Sequence, residues 1–178
     1  MTKEELHALH RQVRLRMSPA EVSTKSRIIG RQLLNDVDWT NFKNVCVFEP
    51  IPRLNEVNIK PVIPRIIAQD IEVILLTNSQ ASKPPPTKFM LIIVPCLAFD
   101  EGLHRLGWGG GWYDRFLAAQ PQAYKIGLSF QNGFVEAGLP YDKYDIKMDI
   151  IITEKMVLRE GFEPPTFWSE ARRSNPLS

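Results

Sequence analysis

Two helices are predicted in the first part of the chain. Residues 3–16 are good helix formers whose apolar side chains recur at helical spacing, at Leu6, Leu9 and Val13. Ser18 then begins a capping box, because this hydroxyl acceptor is followed by Pro19 and, three residues on, by Glu21. A second helix is therefore predicted from this box to about Asn35.

Short apolar runs rich in β-branched residues predict buried strands at 44–48, 71–76, 91–94, 125–130 and 149–152. Between the first two runs, one helix face is predicted from Ile59, Val62, Ile63, Ile66 and Ile67. A strand, a helix and a strand within about thirty residues form a βαβ unit with parallel strands. The pattern predicts an α/β fold. We expect a single-domain three-layer sandwich, with a mostly parallel central sheet of about five strands flanked by helices.

The predicted α/β domain spans residues 1–158. Within it, a stiff exposed loop is expected over 77–88, because three consecutive prolines there cannot continue a strand or a helix. A short helix is expected over 112–119. The periodicity fails in residues 159–178, which are predicted to form an irregular tail outside the domain.

Composition is that of an ordinary globular protein and excludes several function classes. The 178 residues include 22 Lys and Arg against 20 Asp and Glu, a surplus too small for an extended nucleic-acid surface. Cys46 and Cys96 each lie in an apolar run, which is typical of buried thiols in a reducing compartment. The charged N-terminus lacks the apolar region of a signal peptide, and no apolar run approaches the ~20 residues of a membrane span. We therefore expect a cytoplasmic protein.

Five of the ten glycines fall in one short segment, at Gly102, Gly107, Gly109, Gly110 and Gly111. The segment follows a predicted strand, precedes a predicted helix and is flanked by Arg105 and Arg115. Such a loop can direct several backbone N–H groups at one anion. A plain glycine turn is the alternative, but the interleaved tryptophans and arginines favour a phosphate site. The loop matches neither a Walker A motif nor the dinucleotide fingerprint.

Acidic residues near this loop have two interpretations. Asp114, in the first turn of the predicted helix, either complements the helix dipole or binds a magnesium ion. Asp142, Asp145 and Asp149 precede the last predicted strand, where they are either solvated or supply a second carboxylate. The three histidines lack metal-ligand spacing, and no nucleophile elbow occurs. A zinc site and nucleophilic hydrolase chemistry are therefore not expected.

Three segments together carry a longer resemblance: residues 94–100 (VPCLAFD), 105–117 (RLGWGGGWYDRFL) and 144–149 (YDIKMD). They resemble the 5-formyltetrahydrofolate cyclo-ligases, also called methenyltetrahydrofolate synthetases, and the likeness extends from about Lys3 to about Thr153. The resemblance implies an ATP- and Mg²⁺-dependent ligase that closes 5-formyltetrahydrofolate to 5,10-methenyltetrahydrofolate. ADP and phosphate would be released, through a phosphorylated formyl (iminium phosphate) intermediate. The partners implied are these two small molecules, and we expect a monomer.

The resemblance also implies roles for individual positions. The metal carboxylates fall on Asp114 and Asp145, and Arg105 and Asp114 take the catalytic roles. Contacts to the formylfolate fall on Ile51, Glu56, Trp108 and Trp112. The nucleotide contacts fall on a basic pair and on the glycine loop, namely Lys3, His7, Arg105, Leu106, Gly107, Trp108, Gly109, Gly110, Gly111, Trp112 and Tyr113.

Some positions depart from the family pattern. His7 stands where arginine is usual, so a permanent charge is replaced by one only partly present at neutral pH. Tyr144 stands where histidine is usual. A non-catalytic folate- or nucleotide-binding protein on the same scaffold is the alternative hypothesis. A phosphometabolite enzyme would follow from the glycine loop alone, but it gives no role to Glu56 or Asp145.

Overall fold

The computed structural model describes residues 1–77 and 88–160, and both N-terminal helices are present in it. Helix α1 spans Lys3–Leu15 and helix α2 spans Pro19–Asp36. The Ser18 side chain accepts from the Glu21 amide while the Glu21 carboxylate accepts from the Ser18 amide, which confirms the predicted capping box. The stretches 78–87 and 161–178, which contain most of the predicted proline loop and most of the predicted tail, lie outside the described residues.

A mostly parallel sheet forms the centre of the molecule. Its strands are β1 (Asn44–Phe48), β2 (Glu72–Leu76), β3 (Leu91–Pro95), β6 (Tyr124–Leu128), β7 (Ile150–Ile152) and β8 (Val157–Arg159). They lie in the order β2-β1-β3-β6-β7-β8. The first five are parallel and β8 is antiparallel to β7. A separate two-stranded pair consists of β4 (Ala98–Phe99) and β5 (Arg105–Leu106).

Helices cover both faces of this sheet. Alternate strand residues point to opposite sides, so Val45 and Val47 pack with α2 and with α3 (Ile63–Ile67), whereas Cys46 joins the cluster around α4 (Trp112–Ala118). Near-continuous apolar strands are what a sheet buried on both faces requires. The α/β sandwich with a mostly parallel central sheet is therefore confirmed.

The helix predicted from the isoleucine run is shorter than expected. Lys60–Val62 forms a 3₁₀ turn, and the α-helical part covers only Ile63–Ile67. Pro61 and Pro64 each lack the N–H that a continuous helix from Ile59 would need, so each begins its own short turn. The face is otherwise correct, because Ile59, Val62 and Ile66 are buried, but the prediction was wrong for Ile67, which is 54% exposed.

The sequence pattern also missed the short strands. The count of about five strands was too low, because β8 adds a sixth strand to the sheet. Arg105 and Leu106, assigned to the glycine loop, instead pair with Phe99 and Ala98 in the β4–β5 hairpin. Strands of two or three residues are too short to show the alternation of apolar and polar residues by which a strand is recognised in a sequence. Within the described ranges, no helix has the length and apolar character needed to cross a membrane.

Strand order determines where a ligand site can form. The chain passes from β1 to β2 on one side and then crosses to β3 on the other side of β1. At such a reversal the connections leave in opposite directions, which opens a crevice outside the carboxyl ends of the strands. The fold therefore predicts a site beyond the ends of β1, β2 and β3.

Candidate active site

A cleft of about 1040 Å³ opens at this position. Phe48, Leu76 and Pro95, the last residues of β1, β2 and β3, line its floor. Every sequence-predicted site residue lines the same cleft, namely Lys3, His7, Ile51, Glu56, Arg105, Leu106, Gly107, Trp108, Gly109, Gly110, Gly111, Trp112, Tyr113, Asp114 and Asp145. Residues from four separate parts of the chain are thus brought together, although their individual roles remain predictions.

The glycine loop adopts a backbone that requires glycine. Gly109, Gly110 and Gly111 have φ angles of 107°, 82° and 59°, in the region that side chains disfavour. Gly111 is the N-cap of α4. No amide of residues 107–111 donates a hydrogen bond to another described residue. The loop therefore keeps several N–H groups available to an anionic ligand.

Three polar atoms on the cleft lining are buried without a hydrogen-bond partner in the part of the chain that the structure describes. They are His7 Nε2, Arg105 Nε and Trp108 Nε1. His7 Nε2 lies 3.9 Å from the position that a Cβ on Gly109 would occupy, so it faces the glycine loop. A buried polar atom without a partner carries a free-energy cost, which a polar ligand can remove. These atoms fit a cleft that binds a polar ligand.

Arg105 connects the glycine loop to the acidic segment. Its Nη1 donates to Asp114 Oδ1 at 2.9 Å and to the Ile146 carbonyl at 2.9 Å. The Ile146 amide in turn donates to the same Asp114 oxygen at 3.1 Å. The guanidinium is buried by the protein, which strengthens its interaction with any anion in the cleft. Hairpin β4–β5 and the first turn of α4 together position this pair.

Asp145 is close enough to Arg105 to feel its charge and is paired with Lys3, the first residue of α1. Both of its carboxylate oxygens lie 2.7 Å from Lys3 Nζ. Burial alone would raise the pKa of Asp145, but hydrogen bonds from Lys3 and Asp142 and the charges of Lys3 and Arg105 lower it. Asp145 is therefore an anion at neutral pH.

Asp114 and Asp145 are suitable ligands for a magnesium ion. Among the described residues no group of three or more His, Cys, Asp or Glu forms a metal cage. Mg²⁺, however, is usually held by one or two carboxylates together with substrate phosphates and water. Asp114 Oδ2 has no hydrogen-bond partner in the described ranges, so it is free to bind a cation. The two carboxylates therefore fit a metal that arrives with a phosphate ligand.

Glu56 forms the opposite end of the cleft. Its Oε2 accepts from the Ile51 amide at 2.7 Å, and the residue is 5% exposed. Burial raises the pKa of Glu56 to about 6, although the Ile51 amide, the charge of Arg14 and the nearby Trp108 indole act in the opposite direction. A second carboxylate oxygen is left to accept from a ligand with N–H donors.

Sequence reasoning missed Arg14, which supports this end of the cleft. Its guanidinium is fully buried and donates to the carbonyls of Cys96 and Leu97 at 3.0 Å and to Ser129 Oγ at 3.1 Å. Asn55 donates back to the Arg14 carbonyl at 3.0 Å, next to Glu56. In the sequence, Arg14 stands among the charged residues of α1 and resembles a solvent-exposed side chain. The available signal was its position four residues after His10, on the buried face.

Comparison with known proteins finds similarity to the same family that the motifs resemble. The model of the 5-formyltetrahydrofolate cyclo-ligase family matches residues 76–154. A curated relative named 5-formyltetrahydrofolate cyclo-ligase, from Mycoplasma pneumoniae, is 29% identical over 87% of this chain and 100% of its own length. The similarity therefore covers the whole of that relative.

Solved structures agree with this similarity. The NMR structure of the Aquifex aeolicus 5,10-methenyltetrahydrofolate synthetase matches with a TM-score of 0.74 and 27% identity, over 93% of this chain and 96% of that chain. The 5,10-methenyltetrahydrofolate synthetase from Mycoplasma pneumoniae matches with a TM-score of 0.74 and 23% identity, over 86% of this chain and 99% of that chain. At 23% identity, the similarity to the Mycoplasma pneumoniae structure shows a shared fold only.

Proposed function

We propose that the chain is a member of the 5-formyltetrahydrofolate cyclo-ligase family and that it uses ATP and Mg²⁺ to convert 5-formyltetrahydrofolate into 5,10-methenyltetrahydrofolate, ADP and phosphate. One observation carries this proposal. A single cleft joins an anion-binding end, made by the glycine loop and Arg105, to an end where Glu56 offers a hydrogen-bond acceptor. Trp108 lines the same cleft, and its indole lies close to Glu56. Two reactants can therefore bind side by side.

The chemistry requires activation of the formyl oxygen, because that oxygen is a poor leaving group. The γ-phosphoryl group of ATP would be transferred to it, breaking the bond to ADP and forming an iminium phosphate. N10 of the folate then attacks the formyl carbon and loses its proton, and the bond to phosphate breaks. In such phosphoryl transfer the protein acts mainly by positioning and by charge stabilisation.

Arg105 and the glycine loop are suited to this electrostatic task. The guanidinium is held by Asp114 and the Ile146 carbonyl, so it needs little reorganisation when charge develops on the phosphate. The loop amides and His7 would hold the nucleotide phosphates. Asp114 and Asp145 would hold Mg²⁺, which neutralises phosphate charge when bound.

Glu56 is suited to the folate. A carboxylate buried beside Ile51 and Trp108 can accept from the amino and ring N–H groups of the pterin. The apolar floor would cover the ring faces. Folate binding is therefore expected to depend on Glu56, and ATP binding on the opposite end of the cleft.

The direct test is the near-ultraviolet absorbance of the methenyl product. Purified protein is mixed with 5-formyltetrahydrofolate, ATP and Mg²⁺, and parallel samples omit ATP or Mg²⁺. Growth of the band only in the complete mixture supports the proposal. Binding of either ligand without growth of the band would favour the alternative, a non-catalytic folate- or nucleotide-binding protein.

A further inference from the structure

A buried pair of side chains lies behind the segment that carries Asp145. Asp100, which follows β4, accepts from the His104 amide at 3.0 Å and from the Leu139 amide at 2.8 Å. Its carboxylate also lies 3.1 Å from His104 Nδ1. Both residues are buried, at 4% and 8% exposure. The orientation of the His104 ring is therefore fixed by Asp100.

Tyr141 stacks on the ring that Asp100 orients. The ring centroids of His104 and Tyr141 are 3.9 Å apart, and the planes meet at 12°. Tyr141 is itself 65% exposed, so its ring covers the histidine from the outside. Within residues 140–144, no other side chain makes a hydrogen bond or a ring contact with a described residue outside that segment. The stack of Tyr141 on His104 is thus the side-chain contact that holds residues 140–144 against the rest of the described molecule.

The stacked tyrosine adjoins the turn that presents Asp145 to the cleft. The Asp142 amide donates to Asp145 Oδ2 at 2.9 Å, and the Asp145 amide donates to the Asp142 carbonyl at 3.2 Å. Leu139 is bound to Asp100, and the Met148 amide donates to the Leu103 carbonyl at 3.0 Å. On one side of the turn, Ile146 is held by Arg105 and Asp114, and the Asp145 carboxylate is paired with Lys3. On the other side, residues 140–144 are held against the rest of the molecule by the Tyr141 stack.

We propose that His104 and Tyr141 are positioning residues for Asp145: their stacked rings hold the turn at residues 142–145 so that this carboxylate meets the nucleotide-bound metal. The inference rests on the proposed function, because it takes Asp145 as a ligand for Mg²⁺ and ATP. Neither ring lines the cleft, so neither touches substrate. Loss of a residue that orients a metal ligand typically weakens metal binding or activity about 10–100-fold.

The test compares Tyr141→Ala with Tyr141→Phe. The first variant removes the stack, whereas the second keeps the ring and loses only the exposed hydroxyl. We expect Tyr141→Ala to weaken Mg·ATP binding about tenfold in titration calorimetry, within the range typical of residues that support a metal ligand. Tyr141→Phe should bind like the unmodified protein, and 5-formyltetrahydrofolate affinity should stay unchanged in both. Unchanged Mg·ATP affinity in Tyr141→Ala, or an equal loss in Tyr141→Phe, would overturn the inference.

A second readout does not depend on nucleotide binding. Amide hydrogen exchange should become faster across residues 141–148 in Tyr141→Ala, while β1 and β3 keep their protection. His104→Ala should add little when combined with Tyr141→Ala, because both variants remove the same stack. Additive losses, or unchanged exchange, would contradict the assignment. Failure of the unmodified protein to bind Mg·ATP would instead count against the proposed function, and the exchange pattern would still decide the role of Tyr141.

Discussion

Glu56 holds a negative charge at a position where burial opposes it. Its pKa is raised to about 6 by burial, from an ordinary value of 4.5. Such a difference corresponds to about 2 kcal/mol of stability lost when the carboxylate is ionised in the folded chain. A protein retains a cost of this kind when the charge serves binding.

Glu56→Gln should therefore stabilise the fold and weaken folate binding. Above pH 6 the carboxyl is ionised in both the folded and the unfolded chain, so the folded chain carries the full cost. The cost disappears as the pH falls from about 6 to 4.5, because the folded chain takes up the proton first. Urea unfolding at pH 7.5 should show the variant more stable by up to about 2 kcal/mol, and the difference should vanish near pH 4.

The same variant should raise the KM for 5-formyltetrahydrofolate far more than the KM for ATP. Glu49→Gln is the matched control, since Glu49 lies in the same cleft but is only partly buried and is paired with Lys60 at 3.3 Å. We expect the control to change stability by less than about 0.5 kcal/mol. Equal effects of Glu56→Gln on both KM values would remove Glu56 from the folate site.

Asp114→Asn should nearly abolish turnover. The amide oxygen can still accept from Arg105 and from the Ile146 amide, so the variant removes the charge while keeping the local contacts. We expect kcat to fall at least about 100-fold, because a direct metal ligand should count for more than a supporting residue. Asp36→Asn, at the exposed end of α2, is the control. Near-normal turnover in Asp114→Asn would contradict its assignment as a metal ligand.

The sequence predicted which single residues belong to the site where these residues are part of a recognisable motif. Arg105, Asp114 and Asp145 belong to long motifs, and the structure brings all three into one cleft. Arg14 and His104 were not predictable as supports, because Arg14 binds backbone carbonyls and His104 stacks on Tyr141, which is distant in sequence. A pattern of residue types contains no information about such partners.

Among the elements, those with a clear period were predicted and the short ones were not. Helix α2 carried a capping box, and β1 carried five consecutive residues of a buried strand. The β4–β5 hairpin and β8 contain two or three residues each, and tertiary pairing rather than local pattern stabilises them. That hairpin positions Arg105, so its absence from the sequence prediction left the site's geometry undetermined.

The glycine loop allows a paired test of its conformation and of its contact with ATP. Gly107 lies outside the left-handed region and has no atom within 4 Å of a Cβ placed on it, whereas Gly109 has a φ of 107°. Gly109→Ala should cost about 1–3 kcal/mol of local strain and weaken ATP binding for that reason. Gly107→Ala should leave thermal unfolding unchanged, yet weaken ATP binding, because the methyl group enters space that the nucleotide needs.

Thermal melting and calorimetric titration of ATP distinguish the two effects. A destabilised Gly107→Ala would mean that the loop is packed more tightly than the structure indicates. Unchanged ATP affinity in Gly107→Ala would mean that the nucleotide does not lie against this part of the loop.

For the whole molecule, the position of the site follows from strand order. The crossover from β2 to β3 opens a cleft at the carboxyl ends of three parallel strands. Parallel sheets were predictable from the apolar runs, but the order of strands was not, and the cleft depends on that order. Segments 3–7, 51–56, 105–114 and 142–146 meet only because the fold brings them there.

In the proposed reaction, this cleft activates the formyl oxygen of its substrate by phosphoryl transfer from ATP. The most direct measurement uses 5-formyltetrahydrofolate labelled with ¹⁸O in the formyl group and determines the mass of the phosphate released. The label should appear in the phosphate, because the formyl oxygen leaves as part of it. Methenyl product accompanied by unlabelled phosphate would rule out phosphoryl transfer to the formyl oxygen.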